Sequence, residues 1–291
     1  SVRTEKQAVD MARGEAVKTS TAYSPDSASA LMDVAVHPLI EDSQEKLHQL
    51  AKVLKSDEEV LLVAELLKNA RWHDQKSAME FARMAAHQIR HHWALSSQDT
   101  CIAVLDNDET SGSADVAMHH LRLALHQAGG GWGGTHYLPG IGAAAKSTME
   151  KIVLIDDFIG TGNKTKEKIE WIRNNEIKMH DIYVLTFVGQ YRSRHMVGSV
   201  AKSYYACHWG WKGISDEYLP DLAREKIRLM LEIEGRFRTI SPIDQLGRGR
   251  AESTFFPVGT NTPNNVFPIF WKDRHKGNPG FRPLLIRSPK K

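Results

Sequence analysis

Two adjacent carboxylates, Asp156 and Asp157, follow the apolar run Ile152-Val-Leu-Ile155 and precede Phe158-Ile-Gly160-Thr161-Gly162-Asn163-Lys-Thr165. An apolar run of this length predicts a strand that delivers both acids at its carboxyl end, where open α/β sheets bind their ligands. The small-residue turn that follows opens a helix, and the first N–H groups of a helix favour a phosphate. Gly160 and Gly162 let the backbone approach an anion, Thr161 and Thr165 bring hydroxyl donors, and Asn163 tolerates a left-handed turn. Carboxylates for sugar hydroxyls thus stand beside amides for a phosphate, a pattern suited to a ribose 5-phosphate. A receiver-like phosphorylation site, a Walker B strand and a simple capped strand-to-helix turn also end a strand in acids. None of them explains the Thr-Gly turn, and no Walker A motif lies upstream.

The elements that must position these residues are legible on either side. Cys101-Ile-Ala-Val-Leu105 and Ile182-Tyr-Val-Leu-Thr-Phe-Val188 read as strands, Tyr204-Tyr-Ala-Cys207 as a fourth, and Ala114–Gln127 and the segment through Ile169, Trp171 and Ile172 as helices. Further helices are expected near Met196–Lys202 and over Leu219–Glu234. Strand and helix in alternation predict a parallel α/β sheet of Rossmann-like type with right-handed crossovers. Before it, Leu47, Leu50, Val53 and Leu54 fall at helical spacing, and Ser56 with Glu59 forms a capping box ahead of Val60–Leu67. A third helix is expected over Ser77–Trp93, with Met79, Ala82, Ala85, Ala86, Ile89 and Trp93 on its apolar face. The expected organisation is a flexible arm over 1–38, a helical region over 39–98, the α/β core over 99–239 and an irregular, Pro-, Asn- and Gly-rich cap over 240–291.

The signature segment resembles the PRPP-binding motif of type I phosphoribosyltransferases: four apolar residues, two acids, an apolar pair, then Thr-Gly and a helix. The resemblance implies that Asp156 and Asp157 hold the ribose 2′ and 3′ hydroxyls and that Thr161, Gly162 and Asn163 wrap the 5-phosphate. Where the family carries Gly-Thr after Thr-Gly, this sequence has Asn163-Lys164, with Thr165 one place late. The loop Asp106-Asn-Asp108-Glu109-Thr-Ser111-Gly112-Ser113 falls where the family binds pyrophosphate, but it is acidic. It either holds Mg²⁺ through Asp106, Asp108 or Glu109, with Ser111 and Gly112 lining the substrate, or is a solvated turn in which Ser113 caps the next helix. The glycine-dense stretch from Gly129 to Lys146 falls at the family's mobile loop. Lys146 is expected there to neutralise pyrophosphate in a closed state, a linker being the alternative.

The later run Leu246-Gly-Arg-Gly-Arg250, Asn261-Thr-Pro-Asn264-Asn265 and Phe267-Pro-Ile-Phe-Trp271 resembles the C-terminal part of phosphoribosyltransferase-like effectors of bacterial conflict systems, including retron operons. That resemblance implies an acceptor pocket lined by Asn264, Asn265 and Trp271, the alternative being a Pro-braced loop whose aromatics fill a core. The activity implied is Mg²⁺-dependent transfer at C1 of PRPP or a related ribose phosphate, serving as an anti-phage toxin. The alternatives are a nucleotide-sensing or scaffold subunit that assembles with a reverse transcriptase and its DNA–RNA product, and an N-glycosidic nucleotide hydrolase. The helical region is expected either to form a homo-oligomer interface or to buttress the core within one chain.

Composition excludes several classes. The chain has 291 residues, 41% hydrophobic and 25% charged, ordinary globular usage that rules out collagen-like and wholly disordered proteins. Its net charge of +3 is too small for a protein that coats DNA. No apolar stretch reaches the roughly 18 residues of a membrane helix. With two cysteines, Cys101 and Cys207, and no apolar segment at the start, a cytoplasmic setting with buried thiols is expected. His87 and His91, four apart on one helix, lack a third ligand nearby, and the basic tail from Lys272 to Lys291 reads as solvated.

Overall fold

A computed structural model describes residues 23–35, 44–107, 112–257, 261–278 and 280–287. Its helices are α1 Pro25–Ala35, α2 Gln44–Val53, α3 Asp57–Lys68, α4 Gln75–His87, α5 Ser113–Ala128, α6 Ile141–Ala145, α7 Asn163–Asn175, α8 Ser193–Gly198 and α9 Pro220–Glu234. Its strands are β1 Arg71–His73, β2 Thr100–Val104, β3 Tyr137–Leu138, β4 Lys151–Ile159, β5 Asp181–Gln190, β6 Ser203–Gly210 and β7 Phe255–Pro257. The chain divides into two compact units, one of residues 73–211 and one of 1–72 with 212–291.

The unit 73–211 is an α/β sandwich around a five-stranded sheet of order β3-β2-β4-β5-β6, every pairing parallel. A parallel sheet is covered on both faces, so its strands are apolar throughout. Residues 101–104, 152–155 and 182–185 are all buried. Alternate residues choose the layer. Ile102, Val104, Val153, Ile155, Leu185 and Phe187 face the small-residue stripe Ala82, Ala85, Ala86 of α4 and Leu121, Leu125 of α5. Cys101, Ala103, Ile152, Leu154, Ile182 and Val184 face Ala144, Ile169, Ile172 and Val197 of α6, α7 and α8. The chain leaves β2 outward to β3, then crosses back over β2 to β4, which makes the β2/β4 boundary the topological switch point where such sheets bind ligands.

Several expectations are corrected. The helix expected over Ser77–Trp93 ends as an α-helix at His87 and closes with a π turn over Gln88–His92, and Met79 is exposed rather than on the apolar face. It starts at Gln75 because the Asp74 carboxylate accepts from the Ser77 N–H at 2.8 Å. Its alanine face belongs with the sheet, so the first division falls at residue 73 rather than 99.

The other unit is built on α1, α2, α3 and α9 together with the C-terminal segment. Leu47, Leu50, Val60, Val63, Leu66 and Leu67 pack with Met230, Ile233, Phe237, Phe256, Phe267, Phe270 and Phe281 in one core. Segment 212–239, expected in the α/β core, belongs here, joined to residues 240–287, which carry only a short strand and a 3₁₀ turn among their described residues. The capping box is modified: Ser56 accepts from the Glu59 N–H at 3.3 Å, but Glu59 reaches past Ser56 to the Lys55 N–H at 2.7 Å and pairs with Arg236 at 2.6 Å. The arm expected over 1–38 lies partly outside the described residues. Its Pro25–Ala35 portion is helical, with the Tyr23 hydroxyl donating to Ala51 O at 2.6 Å.

Candidate active site

β4 runs past the register of β2 by four residues, so Asp156 and Asp157 stand at the switch point while Asp156 still pairs with Thr186 of β5. Asp156 Oδ1 accepts the N–H of Asp157 at 2.9 Å, and the Ser113 hydroxyl, from the first turn of α5, donates to Asp157 Oδ1 at 2.9 Å. Burial, and then the charge of Asp157 beside it, push the Asp156 carboxyl well above the usual carboxylate range, with Lys168 pulling the other way. An acid in this state gives up its proton readily only when hydroxyl donors or a cation arrive.

The turn after β4 is shaped by Gly162, which sits at φ +82°. A Cβ there would meet Val197, Met196 and Ser193 at 3.1–3.3 Å, so both conformation and space call for glycine. The turn is closed from within: Thr161 Oγ1 accepts the Asn163 N–H at 3.4 Å and Gly162 O accepts the Lys166 N–H at 2.9 Å. Asn163 and Lys164 are exposed at the mouth of the turn, whereas Thr165 is buried.

Beside this turn stands the stem of the loop that follows β2. Lys168 of α7 donates to Leu105 O and to Asp106 Oδ1, both at 2.8 Å. Burial alone would raise the Asp106 carboxyl, but the bond from Lys168 and its charge hold it below its ordinary value. Gly112, where the loop returns, lies against Asp106: a Cβ there would be 3.9 Å from Asp106 Oδ2. Asp108, Glu109 and Ser111 lie outside the described residues.

Asp156, Asp157, Thr161, Gly162, Asn163 and Gly112 are thus brought to one end of one sheet. Lys146 is not. It ends α6 and leads into the amino end of β4, so the five residues from Lys151 to Asp156, roughly 16 Å of strand, separate it from the acids. The first part of the glycine-dense stretch is anchored at that far end, where the Ser97 hydroxyl donates to Gly130 O at 2.8 Å, Arg90 donates to Ala128 O and Trp132 is buried, whereas its later part returns to the acids' end, where the Ile141 N–H donates to Asp106 O at 2.9 Å. The expected role of Lys146 over the reaction is therefore corrected by strand direction. Asn264 and Trp271 belong to the other unit. There Trp271 is buried, donates its indole N–H to Val266 O at 3.0 Å and carries Lys272 and Arg287 over its ring, while Asn264 O accepts the Arg248 N–H at 2.8 Å. The buried aromatic position matches the Pro-braced alternative.

Sequence reasoning missed Lys168 as the counter-ion of Asp106 and the grip of Ser113 on Asp157. Lys168 sits on a helix rich in charge, where a lysine reads as solvated, and its partner is 62 residues away. It also missed Ser193, buried between Gln190 O at 2.7 Å and the Tyr204 hydroxyl at 2.9 Å, which carries α8 against the Gly162 turn.

A family model described as PRTase-CE matches residues 48–287 of this chain. No curated protein matches. Among solved structures, the chain is similar to an orotate phosphoribosyltransferase from Aeropyrum pernix at 12% identity and TM-score 0.30, over 46% of this chain and 72% of that one. A Helicobacter pylori xanthine-guanine-hypoxanthine phosphoribosyltransferase gives 12% and 0.29, over 49% and 92%. A hypothetical protein from Neisseria gonorrhoeae with bound ppGpp gives 10% and 0.30, over 55% and 96%.

Proposed function

This chain belongs to the PRTase-CE family and is phosphoribosyltransferase-like, and we propose that its site binds PRPP or a related ribose phosphate and transfers at C1 of the ribose. The observation that carries this is the placement of the Asp156–Asp157 pair at the switch point, beside a glycine turn that opens α7. The ribose 2′ and 3′ hydroxyls donate to the two carboxylates, of which Asp157 is oriented by Ser113, and the turn 160–163 receives the 5-phosphate. Departure of pyrophosphate breaks the C1–O bond and builds positive charge on the ring, which the acidic pair stabilises as the acceptor attacks C1.

Among the described residues no three His, Cys, Asp or Glu side chains form a metal-binding group. Mg²⁺, however, needs only one or two carboxylates beside substrate oxygens, and the adjacent Asp156 and Asp157, where burial first and the Asp157 charge second disfavour the Asp156 anion until a cation arrives, fit that demand. Asp156 and Asp157 are the residues that would hold it, with Asp108 and Glu109 as the loop's contribution. The ion, when bound, supplies charge neutralisation for the pyrophosphate.

An effector role in bacterial anti-phage defence is supported by the resemblance of segment 246–271 to conflict-system proteins. A second function, a nucleotide-sensing subunit that assembles with partners such as a reverse transcriptase and its DNA–RNA product, is favoured by one observation. Lys168, the cation at the stem of the loop after β2, is already engaged by Asp106 and Leu105 O. Calorimetric titration with PRPP, with and without Mg²⁺, on the wild type and on the Asp156→Asn/Asp157→Asn variant decides. Metal-dependent binding lost in the variant is the expected result, and turnover of bound PRPP separates transferase from sensor. Absence of binding in the wild type overturns the proposal.

A further inference from the structure

At the edge of the sheet, beyond the pocket, Tyr191 and Trp211 stack face to face, ring centroids 4.4 Å apart and 21° from parallel. Tyr191 follows β5 and Trp211 follows β6, so the pair stands at the carboxyl ends of the last two strands. Both rings are exposed, Tyr191 at 42% and Trp211 at 53%. Two large aromatics left in water on a rigid strand end form a contiguous apolar surface with flat faces. The pair is held from beneath: Trp209 packs edge-on against Tyr191 at 6.1 Å and against Tyr204 at 5.2 Å, and Tyr204 is bonded to the buried Ser193.

The chain between the two rings carries one sign of charge, the nearest acid beyond it being Asp216, whose Oδ2 accepts the Lys212 N–H at 2.9 Å. From Ile182 to Trp211 the sequence contains no Asp or Glu, but it holds Arg192, Arg194, His195 and Lys202. Arg192, Arg194 and His195 are exposed, and together with Tyr191, Gly198 and Ser199 they line a groove along α8. The guanidinium of Arg194 lies 5.8 Å from the Tyr191 ring centroid. Lys202 pairs with Asp181 and does not line this groove.

We infer that Tyr191, Trp211 and the groove of Arg192, Arg194 and His195 form a docking surface for single-stranded nucleic acid. Unpaired bases stack on the exposed aromatic faces, and the backbone phosphates follow the basic groove. A duplex hides its base faces and offers the rings nothing to stack on, and an acidic peptide would use the cations without the aromatic pair. This inference does not rest on the ribose-phosphate reading, although α8 also packs on the Gly162 turn: PRPP titration of the Asp156→Asn/Asp157→Asn variant reports on the acids, and oligonucleotide titration of the Tyr191 and Trp211 variants on the platform.

The test is fluorescence anisotropy of end-labelled oligo(dT) and oligo(rU) of about twelve nucleotides on the full chain, at several salt concentrations, beside a duplex of equal length. Single strands bind better than the duplex, and binding quenches tryptophan fluorescence. Trp211→Ala and Tyr191→Ala each weaken binding on the order of tenfold, and Trp211→Phe restores most of it. Arg192→Gln with Arg194→Gln lowers the slope of log affinity against log salt by about 0.7 per lost phosphate contact. Because Tyr191 and Trp211 also pack on each other and on Trp209, circular dichroism melts of every variant fix a temperature at which all are folded, and affinities are compared there. No binding at low salt, a preference for duplex, or single-strand binding unchanged in the Tyr191→Ala/Trp211→Ala variant overturns the inference.

Discussion

Lys168 Nζ lies 2.8 Å from Asp106 Oδ1 and donates equally closely to Leu105 O, so the helix that begins at the glycine turn is tied to the end of β2. The contact crosses the switch point and fixes the distance between the two loops that must share one substrate. Lys168→Met removes the ammonium but keeps most of the stem's packing, leaving a half-buried carboxylate and a carbonyl without their donor. We expect a loss of about 1–2 kcal/mol in denaturant unfolding. Calorimetry should show PRPP affinity falling as well, while Lys168→Arg, which retains the charge, recovers part of both.

Asp156 predicts a separation of stability from binding. Its carboxyl is disfavoured as an anion by burial and by Asp157, so the amide of Asp156→Asn relieves a cost that the folded protein bears. The variant should melt at or above the wild-type temperature while losing PRPP binding. The folded pKa is raised, so the folded state keeps a proton that the unfolded chain releases, and the wild type loses stability as pH climbs from the ordinary carboxylate range toward that raised value. Thermal melts between pH 4 and pH 8 on both proteins check the sign: the wild type should fall relative to Asp156→Asn.

Gly162→Ala tests the turn. An alanine must hold φ near +82° and place its Cβ 3.1–3.3 Å from three side chains of α8. The conformation alone costs about 1–2 kcal/mol, which corresponds to a fall in melting temperature of roughly 2–8 °C. Because the clash pushes the turn away from α8, phosphate affinity should drop by more than stability does. A melting curve and a titration with ribose 5-phosphate measure the two effects. A variant that melts and binds like the wild type would remove the turn from the site.

The strands and the acidic pair were legible because a buried parallel strand is apolar without interruption, and Ile152–Ile155 ends abruptly in two acids. Helix existence was equally clear, but allegiance was not. The alanines of α4 read only as an apolar stripe, and nothing local says that the stripe faces β5 and β6 rather than α3. Lys146 was misplaced for a related reason: spacing in sequence tells which residues are near a strand but not at which end. The contacts that join Lys168 to Asp106 and Ser113 to Asp157 span 62 and 44 residues and are set by topology, which pattern reading does not supply.

Glu234 yields a prediction remote from the site. It is fully buried at the end of α9, where Oε2 accepts the Leu246 N–H at 2.9 Å and Oε1 has no partner among the described residues. Burial raises its carboxyl to about 8, against which the Leu246 bond is a minor opposing influence. The group is therefore neutral near pH 7 in the folded protein and ionised in the unfolded chain. A raised pKa contributes stability that is complete below the unfolded value, near 4.5, and is lost as pH rises through about 8. Wild-type stability should thus decline from pH 5 to pH 9, most of the loss falling below pH 8, where only the unfolded chain has released the proton. Glu234→Gln keeps an acceptor for Leu246 without a titrating proton, so its urea midpoint should vary less over the same range, and its advantage should be greatest at pH 9. Equal pH slopes in the two proteins would show that the Glu234 carboxyl titrates normally in the fold.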